Sequence, residues 1–334
     1  MNYIKNMKNK FIKGFIVLFL ILMILFPHAA YEGASSGLLL WFHNILPNLL
    51  PFIIVSNLMI RLNITKQVSK LFYPFFRRMF KVTRHGCYPI VLGFLSGIPM
   101  GAKSTADLIT EKKIEPEEGL FLFSMCNNAS PMFIIGYITI TQLKLPQIRY
   151  ALFVILYGSA IISGLLFRSV YRFISGRAAK KNSLLLHTNS LDTCEAELTQ
   201  NNPARFSFRI VDNAITNGFE VITKIGGYII LFSILAHIVN DIGPDISYFK
   251  AFLMGILEIT IGINQICNLS FGLNTKIVLV AVLTSFGGIS GMAQTKSVIG
   301  DTRLSMKYYF FVKLFSAVIT FVLASIYVNL ISFT

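Results

Sequence analysis

The sequence has 334 residues, of which 54% are hydrophobic and 13% are charged, and its mean hydropathy is +0.65. A chain this apolar has more hydrophobic surface than one soluble core can bury, so a soluble protein is excluded and an all-α polytopic membrane protein is predicted. The formal net charge of +15 sits in short basic blocks beside apolar segments. This distribution is typical of cytoplasmic loops, so we expect a lipid bilayer and no nucleic acid as partners.

The first predicted element is the apolar run 15–26, which follows four lysines and is closed by Pro27. We expect an uncleaved transmembrane helix with a cytoplasmic N-terminus, because the next apolar span follows after a short loop. The pair Ala29 and Ala30 suits a cleavage site, so a cleaved signal peptide is the alternative. The segment 31–37 has no basic residue and is expected to be an outer loop.

The second predicted span, residues 38–60, contains Pro47 and Pro51. Two prolines four residues apart predict a kinked or partly unwound helix. The segment 61–84 that follows has seven basic residues, no acidic residue and several aromatic residues. It is expected to face the cytoplasm and to include an amphipathic helix on anionic lipid headgroups.

Three apolar segments come next, residues 88–109, 120–140 and 150–171, and a second basic block follows them. Two cytoplasmic blocks must be separated by an even number of crossings, so one of the three segments must enter and leave on the same side. The best candidate is the first segment, because Gly93–Ser104 contains three glycines and Pro99, which interrupt a helix. We predict a re-entrant hairpin whose arms are about ten residues long, roughly half a bilayer.

The segment 120–140 is predicted to cross as a broken helix. Its middle contains Asn127, Asn128, Ser130 and Pro131. Such residues are costly in lipid but are tolerated where an unwound helix lines a cavity. The alternative is that the two asparagines only form interhelical hydrogen bonds beside a simple proline kink.

The second half of the chain repeats this order in the opposite orientation. A span, a hairpin, a broken helix and a last span are predicted over residues 214–239, 249–271, 277–298 and 308–331. Glu258 lies in the middle of the hairpin, and Ser285–Gln294 interrupts the broken helix. The predicted fold is therefore a pair of inverted repeats, each with a re-entrant helical hairpin and a broken transmembrane helix.

This organisation divides the chain into four units. They are an N-terminal helix with its outer loop, a first repeat, a basic cytoplasmic linker and a second repeat, over residues 1–37, 38–171, 172–209 and 210–334. Paired hairpins and broken helices that meet near the bilayer midplane are typical of substrate sites in secondary transporters. The positive ends of half-helices favour an anionic group at such a site.

The candidate substrate-binding residues are the polar residues and glycines of the two hairpins and the two broken helices. They are Ser96, Gly97, Gly101, Lys103, Ser104, Asn127, Asn128, Ser130, Glu258, Thr260, Asn264, Gln265, Ser285, Ser290 and Gln294. Lys103 would supply a positive charge to the solute, or else pair with Asp107 one turn away. Glu258 would pair with Lys103, bind a coupling cation, carry a proton, or form a buried structural pair.

The sequence has no signature of an enzyme or of a bound cofactor. The four cysteines are scattered without a CxxC pair, and neither an HExxH motif nor a nucleophile beside a histidine occurs in the hairpins. A Walker motif is also absent, so transport is expected to be secondary or facilitated. No metal and no cofactor are predicted, and a homodimer is compatible with this architecture.

Three motifs carry a resemblance to a known family. The segments Trp41–Phe52, Gly93–Lys103 and Asn127–Phe133 resemble the YlbJ-like sporulation integral membrane proteins, which carry the nucleoside-recognition (Gate) domain. The resemblance implies a role in endospore formation, with transport of dipicolinate, a small planar dianion, across a forespore membrane as the leading assignment.

The hairpins and broken helices also resemble concentrative nucleoside transporters in architecture. The acidic and glutamine residues that those transporters place in the first hairpin are absent here, where Pro99 and Lys103 occur instead. A nucleoside-type transporter and a non-transporting membrane assembly protein required for sporulation are the alternatives.

Overall fold

The structure is a computed structural model that describes residues 2–62, 64–182, 207–242, 247–300, 302 and 304–331. Within these ranges every regular element is a helix and none is a strand. The part of the predicted linker from 183 to 206 lies outside the described residues.

The first half contains eight α helices: α1 (Asn2–Leu25), α2 (Pro27–Leu40), α3 (Leu46–Arg61), α4 (Ile64–Phe80), α5 (Cys87–Ser96), α6 (Met100–Thr110), α7 (Pro116–Cys126) and α8 (Arg149–Asn182). Two π-helical segments, Trp41–Ile45 and Phe133–Gln142, and the 3-10 turn Pro146–Ile148 lie between them. The second half contains α9 (Phe208–Ile242), α10 (Ser247–Leu257), α11 (Ile259–Asn268), α12 (Leu273–Phe286), α13 (Gly288–Ile299) and α14 (Met306–Leu330).

The helices confirm a polytopic membrane protein. Among the described residues, four helical segments are long and apolar enough to cross a bilayer: Pro146–Tyr171, Phe208–Ile242, Leu273–Ile299 and Met306–Leu330. The bent pair made of α1 and α2 adds a fifth if it is one span. Large apolar side chains such as Val154 and Phe321 are more than half exposed, as expected of helices that face lipid.

The N-terminal region differs from the sequence prediction. The segment 31–37, expected to be an outer loop, is helical and belongs to α2, which meets α1 at 104°. Tight packing explains the helix, because a Cβ atom on Gly33 would lie 2.6 Å from the Ile234 Cα atom of α9. The Ser233 hydroxyl also donates a hydrogen bond of 2.6 Å to the Gly33 carbonyl.

The helix continues from α2 through Trp41–Ile45 into α3 and runs antiparallel to α9. Trp41 Nε1 donates to the Ile222 carbonyl over 2.9 Å, and Asn57 Nδ2 donates to the Ala214 carbonyl over 3.3 Å. The predicted distortion takes the form of the π-helical segment, which ends two residues before Pro47, the first of the two prolines. Proline has no N–H to donate, so regular α-helical bonding is interrupted there.

Both predicted hairpins are present, and each consists of two short helices that pack on each other. The first is α5 and α6, whose arms of 10 and 11 residues are separated by Gly97–Pro99. The second is α10 and α11, separated by Glu258. Its arms approach closely, because a Cβ atom on Gly262 would lie 2.0 Å from the Gly255 Cα atom.

Both predicted broken helices are present as well. Helix α7 ends at Cys126, and helical structure resumes only after Ser130. Helices α12 and α13 are separated by Gly287, whose positive φ of 83° suits glycine.

The packing of the two halves is reciprocal. Helix α6 packs on α13, and α11 packs on the π-helical segment Phe133–Gln142, so the second arm of each hairpin lies on the broken helix of the other half. Contacts within the halves also correspond, because α3 packs on α5 as α9 packs on α10, and α7 packs on α8 as α12 packs on α14. This correspondence is what an internal structural repeat produces.

The amphipathic helix predicted after the second span is α4. Phe76 and Phe80 are buried against the α5 and α7 region, whereas Leu71 and Phe75 are exposed. Contact of this exposed face with anionic lipid stays a prediction.

Candidate functional site

A cavity of about 80 Å³ lies where the two hairpins and the two broken helices meet. The first half supplies residues from the hairpin break and the helix break, and the second half supplies the corresponding residues. The wall is formed by Ile45, Leu49, Ser96, Ile98, Ala129, Ser130, Phe133, Ile225, Ile229, Glu258, Ile259, Thr260, Thr284, Gly287, Gly291 and Gln294. The lining is mainly apolar, and Glu258 is its only charged side chain among these residues.

Five of the predicted site residues line this cavity: Ser96, Ser130, Glu258, Thr260 and Gln294. The Ser130 hydroxyl accepts a hydrogen bond of 3.2 Å from the Phe133 N–H, which caps the second part of the first broken helix. Gln294 Nε2 donates to the Ser290 hydroxyl over 3.2 Å. Ser290, also a predicted site residue, therefore orients a cavity residue and does not line the cavity itself.

Glu258 occupies the break of the second hairpin and caps α11. Its Oε2 atom accepts hydrogen bonds from the N–H groups of Thr260 and Ile261 over 2.8 and 3.0 Å, and the Thr260 hydroxyl donates to the same atom. The side chain is 1% exposed. A carboxylate in this position satisfies backbone donors and lies at the positive end of the helix dipole. This explains how a buried acid is accommodated with no basic partner among the described residues.

Lys103 lies outside the cavity wall. Its Nζ atom is 3.2 Å from Asp107 Oδ2, one turn further along α6, and about a third of the side chain is exposed. Of the two alternatives stated for Lys103, the structure therefore shows the ion pair with Asp107. Of the alternatives stated for Glu258, the pair with Lys103 is not formed, because the hydrogen bonds of Glu258 are with the N-terminal residues of α11.

Lys313 is a buried cation that was not among the site residues predicted from the sequence. It lies in α14, is 2% exposed and donates from Nζ to Asn128 Oδ1 over 2.7 Å. A signal was present, because a lone lysine inside an otherwise apolar span is by default a functional candidate.

The asparagine pair connects the first broken helix to the second half. Asn127 Nδ2 donates to Thr295 Oγ1 over 2.8 Å and to the Tyr309 hydroxyl over 2.9 Å, while Asn128 receives Lys313. Asn127 Oδ1 is buried and has no hydrogen-bond partner in the part of the chain that the structure describes. The two asparagines thus form interhelical hydrogen bonds, which was the alternative to a role in lining the cavity. Neither residue belongs to the cavity wall.

Three predicted residues of the first hairpin serve its packing. A Cβ atom on Gly97 would lie 2.6 Å from the Ser130 nitrogen, and one on Gly101 would lie 2.2 Å from the Cys126 carbonyl oxygen. The Ser104 hydroxyl donates back to the Gly101 carbonyl over 3.1 Å. These residues hold the hairpin against the broken helix that forms part of the wall.

The remaining predicted residues are not brought to the cavity. Asn264 is exposed and donates to Gln142 Oε1 over 3.3 Å, and Gln265 on the same helix is half-buried. The Ser285 hydroxyl is 2.8 Å from that of Ser316, between α12 and α14. On a helix only part of the residues can face one cavity, so a sequence segment overestimates the site.

Comparison with known proteins agrees with the motif resemblance. The chain is 28% identical over 314 residues to the sporulation integral membrane protein YlbJ of Bacillus subtilis (strain 168), an alignment that covers 87% of this chain and 76% of that protein. No protein-family model matches the chain, so the nucleoside-recognition domain stays a prediction. No solved structure matches either, and the likeness to concentrative nucleoside transporters also stays a prediction. The resemblance that the three motifs carried is confirmed, and the chain is similar to a sporulation integral membrane protein over most of its length.

Proposed function

We propose that this protein is a secondary or facilitated transporter of a small polar, anionic solute, and not an enzyme. The observation that carries the proposal is the convergence of both hairpin breaks and both helix breaks on one cavity. Broken helices are tolerated within a membrane where they line a cavity, and a site shared by two repeats is suited to alternating access.

The lining favours a small planar molecule with a polar edge. Ile98, Phe133 and Ile229 offer apolar surface, while Ser130, Gln294 and the other polar wall residues offer hydrogen bonds. Dipicolinate has this character and is the leading candidate, because the family resemblance implies it. The name of the Bacillus relative supports a role in sporulation, and we place the protein in a forespore-surrounding membrane with its N-terminus in the cytoplasm.

Lys103 was predicted to supply a positive charge that attracts the anionic solute. We propose that Lys313 supplies this charge instead. The Lys313 ammonium is bound to Asn128, and Ala129 and Ser130, the next two residues along the chain, belong to the cavity wall. The ammonium is therefore bound next to the wall and not in it, and its charge acts on an anion in the cavity across the broken helix. The donors of the wall add hydrogen bonds to a carboxylate.

The alternative is a membrane assembly protein that does not transport. The observation in its favour is that Asn127 and Asn128 are already used in interhelical hydrogen bonds between the halves. Such bonds stabilise a helical bundle whether or not a solute passes.

Uptake by purified protein in liposomes separates these functions. Counterflow of labelled dipicolinate should exceed that of adenosine and uridine. The cavity variant Gln294→Leu should lower it by about fivefold, which corresponds to one lost polar contact of about 1 kcal/mol. The matched control Gln265→Leu changes the same residue type on α11, away from the wall, and should stay within about twofold. Absence of counterflow for all three solutes by folded protein would support the assembly function instead.

A further inference from the structure

Glu258 is the one charged side chain among the residues that form the cavity wall. It is 1% exposed, and all three of its hydrogen bonds reach a single oxygen, Oε2. Oε1 takes part in none of them. The cavity is therefore lined by a carboxylate with one oxygen saturated by donors and one oxygen without these contacts.

No basic side chain neutralises this carboxylate among the described residues. The two candidate cations are used elsewhere, since Lys103 is paired with Asp107 and Lys313 is bound to Asn128. The elements packed against the second hairpin are α9, α12, α13 and the π-helical segment. Their charged and titratable residues, with those of the hairpin, are Arg209, Asp212, Glu220, Lys224, Tyr228, His237, Asp241, Lys276, Lys296, Tyr137, Tyr248, Lys250 and Cys267.

Of these residues, Tyr137 contacts the cap region, and its hydroxyl is already used in a hydrogen bond there. Its hydroxyl donates to the Thr260 carbonyl over 2.9 Å, and the ring is fully buried. None of the others belongs to the cavity wall. An anion that enters the cavity therefore meets the charge of Glu258 directly, while the ammonium of Lys313 is held by Asn128 outside the wall. The low dielectric of a membrane interior makes the repulsion from Glu258 costly.

We infer that the solute is carried together with a proton, which binds to Glu258 at Oε1. The inference rests on the proposed transport of an anionic solute. An O–H bond forms on Oε1 with a proton from water on the side from which the solute enters, and the carboxyl becomes neutral. The proton returns to water on the other side when the solute leaves, and no oxidation or reduction is involved.

The hydrogen bonds assign the proton to Oε1. Oε2 already accepts three donors, so a hydrogen placed there would face other hydrogens. When the cavity is empty, the same donors stabilise the ionised form. The anion and the proton therefore favour each other's binding, which is a reciprocal coupling between two ligands.

Proteoliposomes test this coupling with dipicolinate as the probe. With the membrane potential held at zero, an inward proton gradient of one pH unit should drive accumulation to an internal-to-external ratio of about ten for one proton per solute. Addition of dipicolinate without a gradient should acidify the lumen, as reported by an internal pH-sensitive dye. Glu258→Gln should still exchange labelled for unlabelled solute but should reach a ratio of one and give no acidification.

The matched control is Glu220→Gln, which neutralises an exposed carboxylate of α9 that pairs with Lys224 outside the cavity. It should accumulate dipicolinate as the natural sequence does. Because lumenal acidification is measured on the unaltered protein, the test does not depend on the folding of a variant.

The outcomes separate the inference from the proposed function. Dipicolinate counterflow with no effect of the proton gradient and no acidification would overturn the proton coupling while leaving the transporter intact. Accumulation driven by a sodium gradient in place of protons would also overturn it. Absence of counterflow for every solute tested would overturn the transport function and the coupling together.

Discussion

The ammonium of Lys313 lies 2.7 Å from Oδ1 of Asn128 and joins the last helix of the second half to the break in the first. Tyr309, one turn earlier on α14, accepts a hydrogen bond of 2.9 Å from Asn127 Nδ2. Because α14 thereby holds the segment that continues into the cavity wall, the position of the wall depends on a charge that is remote in sequence.

Lys313→Met is expected to lower dipicolinate counterflow by tenfold or more, about 1.4 kcal/mol, because the proposed counter-charge is lost and Asn128 Oδ1 is left unpaired. The matched control is Ser316→Ala, which removes a buried hydroxyl on the same helix that contacts Ser285 and not the asparagines. It should change counterflow by less than about twofold. Equal losses in both variants would indicate that any buried polar group on α14 has the same effect.

Lys103→Ala is expected to leave counterflow within about twofold, since the side chain forms a partly exposed ion pair with Asp107 outside the wall. Exposed pairs of this kind contribute little, typically below about 1 kcal/mol. The measurement is the initial rate of dipicolinate uptake in proteoliposomes with equal amounts of protein. A loss comparable with that of Lys313→Met would return Lys103 to the site.

Gly262→Ala is expected to destabilise the second hairpin by about 1 to 3 kcal/mol, because the added Cβ atom would meet the Gly255 backbone at 2.0 Å. Gly227→Ala is the matched control, since no atom lies within 4 Å of a Cβ at that exposed position in α9. There alanine should be neutral or stabilising by up to about 1 kcal/mol. Thermal unfolding in detergent measures both, and equal midpoints would contradict the close approach of α10 and α11.

The buried carboxyl of Glu118, at the start of α7 and outside the predicted spans, should make the stability of the protein depend on pH. Burial raises the pKa of this carboxyl above its ordinary value, against hydrogen bonds from Thr83 of 2.7 and 3.0 Å that favour the ionised form. A raised pKa in the folded protein gives stability that is full below the unfolded pKa and is lost as the pH rises through the folded pKa.

The unfolding midpoint in detergent should therefore fall as the pH rises through the range just above the ordinary glutamate pKa. Glu118→Gln should flatten that fall, whereas Glu115→Gln, which changes an exposed residue of the same turn, should not. An unfolding midpoint of Glu118→Gln with the full pH dependence of the natural sequence would contradict the assignment.

The predicted breaks were correct because they follow from local chemistry. Gly97, Pro99 and Gly287 cannot continue a regular helix, and counting crossings between basic blocks required one segment to be a hairpin. The prediction of a loop at residues 31–37 was wrong for the opposite reason. The residues of that segment do not by themselves predict a helix. The segment is helical because Gly33 lets α2 pack closely against α9.

The sequence by itself determined the membrane environment, the order of spans, hairpins and broken helices, and the segments that meet at the cavity, since these depend on hydropathy and on residues that break helices. Only the tertiary structure decided which side chains face the cavity and which charges are paired. Lys103 and Asp107 are neighbours on one helix turn, whereas Lys313 and Asn128 are 185 residues apart. A contact across that separation exists only after the two halves have packed, because packing alone sets the rotation of each helix about its axis.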